Sequence, residues 1–179
     1  GFEARHEAPI RHALDEVLAT PIPAGDRTFR LADVPHEHRL NEMQFVFGVR
    51  PGFNPRSLAR CFEDHPSPGR TDDYPDRIRN LRFAALEGFL GGFIDLVFEH
   101  EERWYVVDYK SNQLGTRAAD YMPARLRPAM SQHHYHLQYH LYVLAVQRYL
   151  TLRCGEEFDF ARNFGGVAYL FLRGMSPKH

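Results

Sequence analysis

The residues from Gly91 to Lys110 read GGFIDLVFEHEERWYVVDYK, and this stretch constrains the fold more than any other. Two runs rich in β-branched and aromatic residues, Phe93 to Phe98 and Trp104 to Tyr109, flank a short charged segment, the pattern of a β-hairpin. Side chains alternate faces along a strand, so Asp108 and Lys110 share one face while Val107 and Tyr109 share the other. A chain reversal around Glu101 and Glu102 opposes residues whose numbers sum to 203, which sets Asp95 directly across from Asp108. Like charges facing each other in an antiparallel pair destabilise it. Lys110 supplies one compensating charge, and a hard divalent cation with oxygen ligands would supply the rest. The arrangement depends on register, because an even sum would put the two aspartates on opposite faces. The plainer reading is two solvated carboxylates on the outer face of an ordinary hairpin, since aspartate in strands is depleted but not forbidden.

With 179 residues, 44% hydrophobic and 25% charged, the chain fits a single globular domain with a sizeable core. The formal net charge of −1 gives no overall electrostatic case for nucleic acid. Arg117, Arg125 and Arg127, just beyond the hairpin, leave room for a local patch. Cys61 and Cys154 form no CxxC motif, which favours a reducing compartment with a single disulfide still open, and two cysteines exclude a four-cysteine iron–sulfur cluster. No apolar run reaches ~18 residues and no signal peptide opens the sequence, so a cytoplasmic protein without membrane contact is expected. The chain starts at Gly1 without methionine, as an excised piece of something longer would.

Residues 8–19 place Ile10, Leu14, Val17 and Leu18 at helical spacing, and Pro21 and Pro23 stop them, which predicts a packing helix. Arg39 to Val49 has strand character, with Glu42 near its start as an exposed strand residue on the plainer reading. Asn54 and Pro55 read as an N-cap followed by proline at the first helical position, opening a helix to about His65. HPSPGRTDDYPD reads as loop, and Arg77 to Glu87 as either a short helix or an extended lead into the hairpin. Pro123 and Pro128 predict loop or broken helix. A long helix follows from about Ser131 to Leu152, with Leu137, Leu141, Leu144, Ala145 and Tyr149 as its packed stripe. His134, Gln138 and Tyr142 lie one turn apart on an adjacent stripe, ordinarily a solvated shoulder. Phe164 to Leu172 reads as a buried strand with a flexible start at Gly165 and Gly166.

Of the 11 histidines, His133, His134, His136 and His140 crowd together. His136 and His140 are four apart and could share a zinc ion, but no clean third ligand is visible, and a structural zinc site usually has four. The HEH at His36 to His38 is not a metalloprotease motif and reads as a surface turn. No P-loop, GxGxxG or GxSxG is present, so nucleotide binding and serine hydrolase chemistry have no support here.

GFIDLVF followed by VVDYKSN, then LQYHLYVLAVQRYL and FGGVAYLFLRG, resembles the carboxy-terminal nuclease domains of the RecB family, the beta subunits of bacterial exodeoxyribonuclease V. The resemblance covers about half of the chain. It implies an α/β fold of the PD(D/E)xK type, a central mixed sheet flanked by helices and holding a magnesium site. It further implies that Asp95 and Asp108 bind Mg²⁺, that Lys110 is the catalytic lysine, and that the backbone carbonyl of Tyr109 is another metal ligand. Gln138 and Tyr142 match the family's QxxxY motif, which lies beside the active site and contacts DNA or supports the catalytic groups. Glu42 matches the upstream acidic residue. The family also places a metal-liganding histidine on an upstream helix, and neither His6 nor His12 has that setting. That helix is expected before Gly1, so the fragment alone would bind metal weakly and cut poorly.

The chemistry implied is Mg²⁺-assisted attack of water on a phosphodiester, with Lys110 orienting the water or stabilising charge on the phosphate. Such a site contacts backbone, and phosphate contacts carry no direct sequence information, as suits an enzyme degrading DNA of any sequence. The expected context is the nuclease domain of a helicase–nuclease in double-strand break repair, with DNA, the alpha and gamma subunits and a RecA-type recombinase as partners. Two other readings compete: a non-catalytic docking module on the same fold, and a stand-alone restriction-like endonuclease.

Overall fold

The computed structural model describes residues 6–25, 27–82 and 86–177. In chain order the elements are α1 (Glu7–Ala19), β1 (Ile22–Ala24), β2 (Arg27–Phe29), β3 (Arg39–Phe53), α2 (Pro55–Asp64), α3 (Tyr74–Arg79), β4 (Leu86–His100), β5 (Arg103–Lys110), α4 (Pro123–Gln132), α5 (Tyr135–Cys154), α6 (Phe160–Asn163) and β6 (Phe164–Phe171). A four-stranded sheet has the order β3-β4-β5-β6, with β4 antiparallel and β6 parallel to β5. It is therefore a mixed sheet accompanied by helices, as expected; β1 and β2 form a small separate hairpin that the sequence reading did not contain. The chain forms two compact units, the first of residues 1–43, 94–113 and 149–179, the second of 44–93 and 114–148.

In the first unit the register of the central hairpin is the one expected. Leu96 pairs with Val107, Val97 with Val106, Phe98 with Tyr105 and His100 with Arg103, all summing to 203. This puts Leu96, Phe98, Tyr105 and Val107 on one face, where they join Val17, Ile22, Phe29, Leu31, Val34 and Leu170 in a buried cluster. Burying side chains of this size contributes about 1.5–3 kcal/mol each. Phe29 meets Phe98 edge-on, with centroids 5.0 Å apart. The turn has positive φ at both central residues, 48° at Glu101 and 63° at Glu102, the signature of a type I′ hairpin normally built from Asn and Gly. Its carbonyls are held from outside: Arg27 donates to Glu101 O at 2.9 Å and Asn163 to Glu102 O at 3.2 Å. The start of β6 is sterically fixed where flexibility was expected, because a Cβ at Gly165 would overlap the Tyr105 ring. The β5–β6 register shifts at Trp104/Tyr105, and Gly166 has φ +141°. The packing role expected for α1 holds only for Val17; Ile10, Leu14 and Leu18 are 41%, 55% and 40% exposed.

In the second unit Asn54 caps α2 as expected, accepting from the Arg56 and Ser57 amides at 3.0 Å, with Ser57 completing a capping box and Pro55 in the first turn. Ala59 and Phe62 of α2 pack on Tyr74 and Ile78 of α3. Thus a helix begins at Tyr74, inside the stretch read as loop, and ends at Arg79, so the undecided segment from Arg77 to Glu87 starts as helix and ends as strand from Leu86, with residues 83–85 outside the described residues. Pro123 and Pro128 do not break the chain there: α4 runs through both. Pro123 opens the helix, where its missing N–H costs nothing, and Pro128 forfeits one internal hydrogen bond. The long helix starts at Tyr135 rather than Ser131, because the backbone turns at His133 and His134, the latter with φ +55°. Its buried positions also differ from those expected. Ala145 is buried as expected, but so are His136, Tyr142 and Val146 outside the expected stripe, whereas Leu144 is 38% exposed. Gly92 lets β4 pass the Phe45 ring, which a Cβ there would touch at 2.9 Å. Among the described residues no helix is long and apolar enough to cross a membrane.

Candidate active site

The β4–β5 ladder runs from His100↔Arg103 to Leu96↔Val107, and just past its open end lie Asp95 and Asp108. There the Asp95 side chain takes the place of a ladder partner: its Oδ2 accepts the backbone N–H of Tyr109 at 2.8 Å. Asp108, only 2% exposed, forms an ion pair with Lys110, whose side chain is 12% exposed. Strand alternation puts the two residues of this pair on the same face of β5, as the spacing requires. A buried pair of charges costs desolvation that only close mutual contact offsets. The Lys110 ammonium also lies 5.1 Å from the centroid of the Tyr169 ring. Tyr169 comes to this position because β6 runs parallel to β5 with Asp108 opposite Tyr169. Burial and then the Asp95 carboxylate push the Tyr109 phenol above its ordinary pKa, while the Arg39 guanidinium pulls it back.

The first unit thus brings together Asp95, Asp108, Tyr109 and Lys110. Glu42 belongs to β3 of the same unit, exposed and with φ +51°, an uncommon backbone for a residue with a side chain. His6 stands at the N-cap position of α1 and His12 lies within the helix, facing Glu16 at 3.9 Å. No group of three or more His, Cys, Asp or Glu side chains among the described residues is placed to hold a metal ion. Sequence reasoning missed Tyr169 and Arg39, and the only available signal for Tyr169, its alternation within FGGVAYLFL, says nothing about which strand it meets.

Gln138 and Tyr142 lie in the second unit. Gln138 Nε2 donates to the Tyr142 hydroxyl at 2.7 Å, and Tyr142 is 5% exposed with its ring edge-on to Phe45 at 5.8 Å. This pair is therefore an ordered, partly buried feature and not a solvated shoulder. It lines a cavity of about 350 Å³ with Phe45, Gly91, Gly92 and Tyr135. The histidines do not converge as a zinc pair. His136 is buried edge-on to Tyr74 at 5.1 Å, whereas His140 is exposed, its Nδ1 2.6 Å from the His136 carbonyl and its ring stacked on Tyr139. The expected basic patch is partly committed elsewhere: Arg127 donates to the Arg70 carbonyl at 2.8 Å, Arg117 faces Asp120 at 3.8 Å, and Arg125 is exposed. Both cysteines are free thiols.

The sheet is mixed, and its central hairpin carries one aspartate on the first strand and an Asp-x-Lys on the second. The chain belongs to the PD-(D/E)XK nuclease superfamily, which it matches over residues 26–178. Among curated proteins it is similar to the RecBCD enzyme subunit RecB of Haemophilus influenzae, with 36% identity over 172 residues covering 94% of this chain and 13% of that protein. Similarity to RecB of Escherichia coli is 35% over 179 residues, covering the whole chain and 14% of the relative. RecB of Mycobacterium tuberculosis is 35% identical over 178 residues, covering 93% of this chain and 16% of the relative. The chain therefore spans a small fraction of the length of the relatives it matches.

Proposed function

We propose that this chain is the nuclease domain of a RecB-type helicase–nuclease and hydrolyses DNA phosphodiesters as an exodeoxyribonuclease, with Mg²⁺ held by Asp95 and Asp108. The observation that supports it is the placement of the Asp95 carboxylate on the Tyr109 amide, next to the buried Asp108–Lys110 pair. The donors suit the ion: two carboxylates and the Tyr109 carbonyl are hard oxygen ligands, and Mg²⁺ is commonly held by one or two carboxylates plus waters and phosphate oxygens. The set is lean, because the family's histidine has no counterpart in His6 or His12. When bound, Mg²⁺ would polarise a phosphoryl oxygen and acidify a water ligand. Lys110 keeps an ammonium on the carboxylate face, where negative charge grows on the phosphate during attack. Asp95 is held in position by the Tyr109 N–H. Glu42 is assigned a supporting acidic role, and Gln138 with Tyr142 a contact to DNA.

On this reading the protein acts in the cytoplasm on linear DNA and in double-strand break repair, with alpha and gamma subunits as its assembly partners and a RecA-type recombinase as a further one. ATP-driven unwinding would reside outside these residues. A non-catalytic docking role fits less well, because such a module would have no need to keep Asp95, Asp108 and Lys110 together. The test is cleavage of linear DNA by the full-length protein with Mg²⁺, compared with Asp108→Ala. Loss of about a thousandfold or more is expected; undiminished cleavage by the variant would overturn the assignment.

A further inference from the structure

Lys110 meets both the Asp108 carboxylate and the face of Tyr169 in this structure, and a divalent cation that claims the carboxylate leaves the ring face uncontested. Resting on the function proposed above, we propose that Tyr169 is a positioning residue, the seat on which the Lys110 ammonium stays when metal takes over Asp108. The ion pair is nearly enclosed, with 3% exposure for the Asp108 side chain and 12% for Lys110. An ammonium that lost its counter-charge in such a place would be expelled, or would hold on to Asp108 and compete with the metal. An aromatic face at 5.1 Å offers the cation an attraction that no metal ion contests. Tyr169 is brought there by backbone pairing, being the β6 residue opposite Asp108. The phenol oxygen is not needed for this role; the ring face is.

The test is Mn²⁺ binding to the full-length protein without nucleotide or DNA, read by the electron paramagnetic resonance of free Mn²⁺ and taken as the part abolished by Asp108→Ala. Tyr169→Leu is expected to weaken it about three- to tenfold, and Tyr169→Phe to leave it within about twofold. Pentafluorophenylalanine at position 169, which keeps the shape but reverses the charge of the ring face, should weaken binding as leucine does. In a Lys110→Met background none of these changes should matter, because no ammonium remains to be seated. Equal binding by wild type and Tyr169→Leu overturns the proposal while leaving the metal site intact, and so does a loss of the same size in the Lys110→Met background. If the wild type shows no Asp108-dependent Mn²⁺ binding, the metal reading itself fails and this inference fails with it.

Discussion

The two compact units carry equal numbers of basic side chains and unequal numbers of acidic ones. The first has eleven Lys and Arg against sixteen Asp and Glu; the second has eleven, all arginine, against seven. A chain whose formal charge is −1 is thus divided into one part at −5 and another at +4. Their interiors differ in kind as well. The first buries an ion pair, Asp108 with Lys110. The second buries Arg70, which donates to the Phe62 and His65 carbonyls, and the uncharged ring of His136. The lesson is that net charge hides the electrostatic division of labour: excess carboxylate suits a cation site, and guanidinium groups suit phosphate contact. Part of the arginine charge is already spent on structure, since Arg77 pairs with Asp73 at 2.7 Å and Arg79 with Glu63 and Asp76.

The largest expected effect separates chemistry in the first unit from substrate binding in the second. Lys110→Met should lower DNA cleavage about 10²- to 10³-fold, the scale of losing a group aimed at developing charge, with little change in DNA affinity. Gln138→Ala should instead weaken DNA binding by about fivefold to tenfold, the worth of one hydrogen-bonded contact. Cleavage rates and fluorescence anisotropy at one fixed salt concentration measure both. A collapse of turnover in Gln138→Ala as deep as that of Lys110→Met would erase the contrast.

The next concerns acid. Burial, reinforced by Arg70, His140 and Arg127, pushes His136 down to about 4, whereas the unfolded chain titrates near ~6.5. A folded-state value below the unfolded one means that the neutral ring stabilises the fold fully above pH ~6.5, and that this contribution drains away as pH falls toward 4. By pH 4.5 the loss is on the order of 2 kcal/mol. His134 is lowered too, chiefly by burial, and adds in the same direction. Denaturant unfolding at pH 7.5 and pH 4.5 should show His136→Phe losing less stability than wild type by about that amount. Equal losses would mean that acid acts elsewhere, for example on the carboxylates of the first unit.

A smaller effect probes the first unit's backbone. Gly165→Ala would drive a methyl group into the Tyr105 ring, and overpacking of this kind costs about 1–3 kcal/mol. Thermal unfolding would register the loss. A neutral result would mean that Tyr105, part of the buried cluster with Phe29 and Phe98, can turn aside.

What could be read directly from the residues follows local rules. The hairpin register came from a period of two and a two-residue reversal, and the α2 cap from Asn54 and Pro55. The elements that were misread turn on tertiary context. Proline signals argued against α4, yet the helix is anchored: Ala129 and Ser131 are buried and Ser131 Oγ accepts the Thr71 amide at 3.2 Å. The break before α5 is made by His134, a residue with no turn signature. The face of α5 that is buried includes His136, because the Tyr74 ring covers it and the Tyr74 hydroxyl accepts the Leu137 amide at 3.0 Å. Tyr169 depends on a parallel pairing between strands more than fifty residues apart in sequence, which no local pattern encodes. The candidate site was therefore legible in its charges and illegible in the ring that flanks them.

The smallest effect sharpens the comparison at a place where the first unit departs from local preference without an evident reason in its core. Glu101 and Glu102 hold left-handed φ angles of 48° and 63°, which cost a residue with a Cβ on the order of 1 kcal/mol more than glycine. The turn survives because Arg27 grips the Glu101 carbonyl and carboxylate, both at 2.9 Å, while Asn163 takes the Glu102 carbonyl. Glu102→Gly leaves those backbone acceptors in place and relieves the left-handed strain, while adding freedom to the unfolded chain. The net expectation is a stabilisation of about 0.5 kcal/mol, seen as a slightly higher denaturant midpoint with an unchanged slope. Arg27→Ala should move the midpoint the other way, because the Glu101 carbonyl then loses its donor. If Glu102→Gly destabilises instead, the Glu102 side chain contributes more to the hairpin than its backbone angle costs, and the turn would join the sites where the first unit uses its surplus of carboxylates.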